Sequence, residues 1–441
     1  MGTNPMPTPP PADTRHSWYL VAILGVVSIF AFIDRQILSL LVQPVRRDLA
    51  ISDTQMSLLL GFSFALFFTL FAIPIGRLAD RRSRRGVLAA GLAGWSFCTA
   101  ACGVARTFGQ MMLLRMGVGL GEATLNPCAY SMIADSFPPD RRSTALSVYS
   151  MSMSIGAGLA YLAGGFVIRF ASVQEAWMLP FVGSVRPWQL ILIEVGAGGL
   201  LFTALLFTIR EPARTGAGRQ GIPLSGVLAF VRRNRRAMLC HHLGFAFIAV
   251  AALSGAAWIP EMFRRNFHWS IPQFSLHFGL SVAVCGSAGA VIAGRIADGM
   301  LRRGTVDANL RVAVWVALLA IPVTALMLLA PSGTWATVWM GPSAALVSAP
   351  YGIAAAALQQ MLPGAMRGQL TALYLLTVNL IGATTGPTLV AVLTQHVFRR
   401  EDSLHYSLLI VHVAAFAAAA ALLLTARKPF LETVRQTRDL P

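Results

Sequence analysis

Charge is what this sequence has least of. Asp, Glu, Lys and Arg make up 12% of its 441 residues and hydrophobic residues 56%, whereas about a quarter of a soluble domain is charged. So little polar surface excludes a water-soluble globule, because apolar segments of about 20 residues recur along the whole chain. That length crosses a hydrocarbon core of roughly 30 Å as a helix. Cysteine is also scarce: Cys98, Cys102, Cys128, Cys240 and Cys285 all fall in apolar stretches. Cys98 and Cys102 share a helix face, but no His or carboxylate joins them at metal spacing, so all five read as small buried hydrophobes and no metal is expected. A Ser/His/Asp set, a metal-ligand cluster, a Walker phosphate loop and an appended catalytic domain are missing too. A membrane enzyme or receptor therefore lacks support, as does an ATP-driven pump. Acidic residues are in the minority, 18 against 35 Lys and Arg. A net charge of +17 raises nucleic acid as a partner, but the arginines sit in short connections such as 81–85 and 232–236. That placement suits topology signals facing anionic lipid and argues against nucleic acid.

What is present is an all-α, polytopic pattern of twelve transmembrane helices in two six-helix bundles. Apolar periodicity places the first six near 17–41, 54–79, 86–105, 109–134, 143–170 and 188–209. The second six lie near 239–263, 272–298, 310–330, 334–360, 367–397 and 403–426. The Pro-rich 1–16 reads as a disordered N-terminus with no cleavable leader, 210–238 as a central linker with a short surface helix from 224 to 235, and 427–441 as a tail. With both termini on one side, that side carries about 24 Lys/Arg and the other about 9. The bias makes both termini cytoplasmic and the setting a cell (inner or plasma) membrane. Arg46 and Arg47 are a misfit, falling on the sparse side.

The halves echo each other. Gly76-Arg77-Leu78-Ala79-Asp80, followed by Arg84 and Arg85, returns as Gly294-Arg295-Ile296-Ala297-Asp298, followed by Arg302 and Arg303. Arg142 before Tyr149 returns as Arg367 before Tyr374. A duplicated six-helix unit explains both, and paired repeats place substrate at their interface near midplane. The run from Gly76 to Arg85 resembles the loop signature of the major facilitator superfamily, with Ser83 where Gly is usual, and Arg115-x-x-x-Gly119-x-Gly121 resembles its fourth-helix signature. Asp34-Arg35, taken with Arg115 to Ala123, resembles the spinster-like branch. That resemblance implies export of lysophospholipids or sphingosine phosphates. The fifth-helix antiporter signature is degraded, with Tyr161 where Pro is usual; Gly382-x-x-x-Gly386-Pro387 is closer to form.

Charged groups at midplane cost a few kcal/mol and usually face a cavity. Five are left in the apolar segments: Asp34, Arg35, Arg115, Glu122 and Glu194. Arg115 and Glu122 lie two turns apart on one helix face, and Gly117, Gly119 and Gly121 between them admit a close neighbour. Asp34 and Arg35 are about 100° apart around the first helix, so they reach one spot only with help from another helix. Asp34 and Glu122 are expected as proton carriers, with Arg35 and Arg115 alternating between them and an anionic headgroup; a static buried ion pair is the competing reading. Glu194 on the peripheral sixth helix, and His277 and His412 on apolar helices, read as structural.

Phe30, Phe64, Phe67, Phe68, Tyr149, Met151, Met153, Tyr374 and Asn379 are candidate cavity lining, although the same stripe suits interhelical packing. Gly76, Asp80, Arg81, Arg84, Asp135, Asp298, Arg302 and Arg367 are expected to form a cytoplasmic gate. In the superfamily the loop Asp meets the start of helix eleven, which implies Asp80 near Arg367; Arg81 is placed to reach Asp135. Polar anchors amid apolar walls suit an amphiphile with an anionic or zwitterionic head. Proton-coupled uptake of a small organic anion or sugar acid stays open beside it. The expected partners are membrane lipids and a small amphiphilic substrate, the acting unit a monomer, and the coupling ion a proton with no other cofactor.

Overall fold

The computed structural model describes residues 14–180, 183–214, 224–363 and 366–438. The side chains of Asp80, Met151, Met153 and Arg367, and residues 1–13, lie outside that description. The first span is α1 (Thr14–Leu40), followed by the short amphipathic α2 (Val42–Leu49). The second joins α3 (Asp53–Ser57), a π-helical turn (Leu58–Phe62) and α4 (Ser63–Arg81). The third is α5 (Arg84–Cys102), the fourth α6 (Phe108–Glu122) plus α7 (Leu125–Ser136), and the fifth α8 (Pro139–Ala171). A hairpin of β1 (Trp177–Leu179) and β2 (Gly183–Val185) leads to the sixth, α9 (Pro187–Leu206). Helix α10 (Leu224–Arg233) lies in the linker.

The second half repeats the plan. The seventh span is α11 (Arg235–Phe267), and the eighth joins α12 (Ile271–Leu280), a π-helical turn (Ser281–Gly286) and α13 (Ser287–Arg302). The ninth is α14 (Ala308–Leu328), and the tenth joins α15 (Gly333–Ser348) and α16 (Pro350–Met361). The eleventh is α17 (Arg367–Val392) with its π-helical extension Leu393–Phe398, and the twelfth is α18 (Leu404–Arg438). Among the described residues, nine of these spans are long and apolar enough to cross a membrane by themselves. The third, fourth and fifth, which carry Arg84, Arg115 and Glu122 and a polar N-terminal half, complete the twelve.

Local sequence sets the ends. Ser52, Ser83, Thr107, Ser270 and Ser332 each accept the backbone N–H three residues on, which satisfies a donor that the helix leaves unpaired. In each half the fourth span breaks at mid-membrane, after Glu122 in the first and before Pro350 in the second. The stretch 427–438, expected as a tail, continues α18 instead. Its Phe430 and Val434, one turn apart, are buried, and Thr433 and Thr437 donate to Asn234 Oδ1 and the Met361 carbonyl, each at 3.0 Å.

The halves meet along a seam of spans one, two and five against seven, eight and eleven. On the side away from the termini they touch closely. A Cβ on Gly61 would lie 1.9 Å from the Ala383 carbonyl oxygen, and one on Gly165 would lie 2.5 Å from Ser275 Cβ. On the terminal side, Gly76 and Gly294 have nothing within 4 Å of such a Cβ. Leu70 and Leu78 on span two, and Leu373 and Leu375 on span eleven, are exposed there. Among the described residues, the seam is closely packed on the far side and shows no such packing around Gly76 and Gly294.

Candidate functional site

The four charges share one region inside the first half. Asp34 is fully buried and accepts the Thr99 hydroxyl of α5 on both oxygens, at 2.9 and 2.8 Å. Arg35, one residue on, turns to α6 and places Nη2 2.5 Å from Glu122 Oε2. The third and fourth spans thus supply the help that two adjacent residues needed. Asp34 lies within the electrostatic reach of Glu122, Arg115 and Arg35. Glu122 is the last residue of α6, where the helix dipole presents its negative end, so Arg35 offsets both the carboxylate and the dipole.

Glycines bring these helices together. A Cβ on Gly119 would meet the Phe64 carbonyl oxygen at 2.4 Å, one on Gly117 would meet Cys98 Sγ at 2.6 Å, and one on Gly121 the Gly91 carbonyl oxygen at 2.7 Å. Phe64 is thereby pressed over the cluster. The Arg35 guanidinium sits 4.5 Å from its ring centroid, 5.4 Å from that of Phe32 and 5.6 Å from that of Phe68. Arg35 is still 35% exposed, while Glu122 beneath it is 1% exposed. Among the described residues, Glu122 Oε1 and Arg115 Nε and Nη2 are buried without a hydrogen-bond partner. Such groups are costly to leave unsatisfied. The centre can hold one more anion on its cations or one more proton on its carboxylates.

The remaining lining candidates divide. Phe64, Phe67 and Phe68 share one face of span two, with Phe64 stacked on Phe68 and Phe67 on Phe71. Phe30 packs on Phe202 of the sixth span, inside the first half, with centroids 4.9 Å apart. Tyr149 is buried in the first half, donating to Asn126 Oδ1 at 3.2 Å. Tyr374 is buried against His241, His242 and Phe245. Asn379 donates to the Leu375 carbonyl of its own helix at 2.8 Å. Glu194 faces outward from α9, apart from the cluster. His412 contacts Ser254 Oγ at 3.2 Å in the core of the second half, and His277 contacts the Gln273 carbonyl at 2.9 Å.

Two seam residues, Gln36 and Tyr351, were not singled out by sequence, and a third, Tyr161, was named only for its departure from the fifth-helix signature. Gln36 Nε2 donates to the Ala256 carbonyl of the other half at 2.9 Å. Tyr161 stacks edge-on against Phe278 across the seam, centroids 4.7 Å apart, which explains an aromatic where the fifth-helix signature has Pro. Tyr351, at the break in span ten, is 70% exposed yet within electrostatic reach of both Tyr161 and Tyr374.

On the terminal side, Arg84 rather than Arg81 meets Asp135. Arg84 is buried; it also donates to Ser131 Oγ at 3.0 Å and to the Pro212 carbonyl at 2.6 Å, and lies 3.3 Å from Glu211 Oε1. Burial opposes ionisation of Glu211, but hydrogen bonds from the Ser83 hydroxyl, the Arg84 backbone and guanidinium and the Arg85 backbone outweigh it. They hold the carboxyl below its usual 4.5. Ser131 and Asp135 belong to the first half and Glu211 and Pro212 to the start of the linker, so the motif's buried arginine braces one bundle and the chain that leaves it. Arg81, Asp298 and Arg302 are exposed and make no described contact across the seam. The expected Asp80–Arg367 pairing lies outside the described side chains.

The cross-half charges sit on the far side instead. Arg265 of α11 forms a two-pronged pair with Asp53 of α3, both contacts at 2.9 Å, and reaches Glu261 at 2.6 Å. Arg46 lies 2.9 Å from Asp53 and 2.9 Å from Glu401 of the other half. Thr54 donates to Gln395 Oε1 through its hydroxyl at 2.7 Å and its backbone N–H at 3.1 Å. Arg46 is no misfit in topology: it is neutralised where it stands.

Comparison with known proteins follows this geometry. The family model described as Major Facilitator Superfamily matches residues 24–387. The chain is 26% identical over 382 residues to an MFS-type efflux pump of Mycolicibacterium smegmatis, covering 86% of this chain and 85% of that protein. It is 26% identical over 297 residues to a probable L-galactonate transporter of Escherichia coli, covering 64% and 62%. With protein spinster of Drosophila melanogaster it shares 24% over 399 residues, which is 87% of this chain but 63% of the longer fly protein. Among solved structures, a bacterial homolog of the human lysosomal transporter spinster, inward-facing and unoccupied, superposes with a TM-score of 0.74 at 24% identity over 97% of this chain and 98% of that one.

Proposed function

Because this chain belongs to the major facilitator superfamily, we propose that it is a proton-coupled secondary transporter of an amphiphile, working by alternating access. Membership makes it a membrane transporter and not an enzyme. The cargo we assign is an anionic or zwitterionic lipid-like molecule of lysophospholipid or sphingolipid type. One observation carries this reading: Arg35 is held by Glu122 and three phenyl rings, yet keeps a third of its side chain open beside an apolar seam.

A guanidinium grips phosphate or carboxylate through two parallel hydrogen bonds. A headgroup entering from the open terminal side competes with Glu122 for Arg35. As the pair loosens, Glu122 is left without its partner, and its Oε1, already without a hydrogen bond, is the atom that receives the coupled proton. The apolar chain lies along Phe64, Phe67, Phe68 and Tyr351. Closure then brings the segments around Gly76 and Gly294 together and parts Asp53 from Arg265. Asp34, tied to Thr99, lies within electrostatic reach of Arg115, which serves as the second cation. The charge bias of the loops supports a cytoplasmic terminal side, which makes this form inward-open.

The test is transport by purified protein in liposomes, with lysophospholipid and small organic acids compared across an imposed pH gradient. Lysophospholipid flux that follows the gradient and is lost in Arg35→Ala supports the proposal. Flux of soluble sugar acids, unaffected by lysophospholipid, overturns the assigned cargo; flux indifferent to the gradient overturns the coupling.

A further inference from the structure

A groove on the terminal side, remote from the seam centre, belongs to none of the chemistry above. It encloses about 750 Å³ between the start of α11 and the last third of α18. Arg233, Arg235, Arg236 and Lys428 line it with a single carboxylate, Glu432, and none of the four cations makes a described ion pair. Neighbouring Arg427 differs: it lies 2.6 Å from Asp307 and is neutralised. The floor is fixed, because buried Thr433 donates to buried Asn234 at 3.0 Å.

Depth identifies the ligand. From Leu404 to Leu424, α18 rises about 30 Å at 1.5 Å per residue, the thickness of the hydrocarbon core. The groove begins at Thr425, so it lies at headgroup level. Directly below it Leu239 and Leu424 are 57% and 47% exposed, an apolar wall continuous with the basic mouth. Uncompensated cations above exposed leucines match a phosphate head above acyl chains. We infer that this groove is a binding site for an anionic glycerophospholipid of the surrounding leaflet, with its phosphate between Arg235, Arg236 and Lys428. The site is independent of the transported substrate.

The full-length protein in phosphatidylcholine nanodiscs with and without phosphatidylglycerol tests it, read by native mass spectrometry for retained lipid and by melting temperature. Phosphatidylglycerol should be retained and should raise the melting temperature. Affinity should fall about fivefold in Lys428→Gln and about a hundredfold in the triple variant with Arg235→Gln and Arg236→Gln. Arg47→Gln with Arg399→Gln, which removes charge from the opposite side, should change nothing. Equal retention by the Lys428 and triple variants overturns the site. Stabilisation by free glycerol phosphate to the same extent, with displacement of the lipid, overturns the lipid source in favour of a soluble phosphorylated ligand.

Discussion

Replacing Asp53 by Asn should open the far side of the seam. Asp53 and Arg265 are buried, with side chains 5% and 3% exposed, and they join the two halves through two contacts of 2.9 Å. Removing one partner of a buried pair costs about 3–5 kcal/mol, because the other charge is left without compensation. Asn keeps one acceptor and Arg265 keeps Glu261, so the low end, about 3 kcal/mol, applies. That cost falls only on the conformation in which the far side is shut. At about 1.4 kcal/mol per factor of ten, it shifts the conformational equilibrium roughly a hundredfold. A protein shut on the far side about 99% of the time becomes nearly evenly divided. Spin labels at Arg47→Cys and Arg400→Cys, both strongly exposed on that side, report the change as a second, longer distance of comparable weight. Asp48→Asn is the control, since Asp48 pairs with Arg186 and Trp188 inside the first half. An unchanged distance distribution in Asp53→Asn would refute the claim that this pair holds the seam shut.

Gly61→Ala should act in the same direction, because its Cβ would lie 1.9 Å from the Ala383 carbonyl oxygen; the same label pair reads it, and a shut-state distance identical to wild type sinks the idea. Arg35→Lys should keep the fold but lose at least tenfold in transport, since an ammonium neither forks nor stacks on three rings; wild-type flux would mean that Arg35 acts only as a point charge. Gly119→Ala should lower stability by about 1–3 kcal/mol through overpacking against the Phe64 backbone, seen as a lower melting temperature. Glu211→Gln should lower the melting temperature at neutral pH. A carboxyl held below 4.5 in the fold contributes stability above that value and loses it as pH falls through the folded pKa. The gap between variant and wild type should therefore close in acid, and a gap independent of pH contradicts the assignment.

Much of the fold was legible in the sequence because lipid forbids unsatisfied backbone and leaves long apolar runs as its signature. The duplicated loop made the repeat visible, and the rarity of charge inside the spans marked Asp34, Arg35, Arg115 and Glu122. Their pairing was not legible. Thr99, which holds Asp34, is an ordinary polar residue on another helix, and Arg35 and Glu122 are 87 positions apart. Within the cluster 81–85, nothing in the pattern distinguishes the arginine that turns inward to Asp135 from those that stay in solvent. Periodicity gives a helix a face but not the neighbour it meets, so Phe30, Tyr149 and Tyr374 read as lining while they pack inside their own bundles. The misfit of Arg46 was itself a signal: a cation on the sparse side calls for a nearby acid, and Asp53 and Glu401 supply it.

The central claim, a proton-coupled carrier of a lipid-like anion, is tested most directly by a pH dye trapped in proteoliposomes when lysophospholipid is added without an imposed gradient. The account predicts a lumenal pH change that needs both lysophospholipid and protein, and that disappears in Glu122→Gln while lysophospholipid still binds. A wild-type protein that moves lysophospholipid with no accompanying pH change would contradict it.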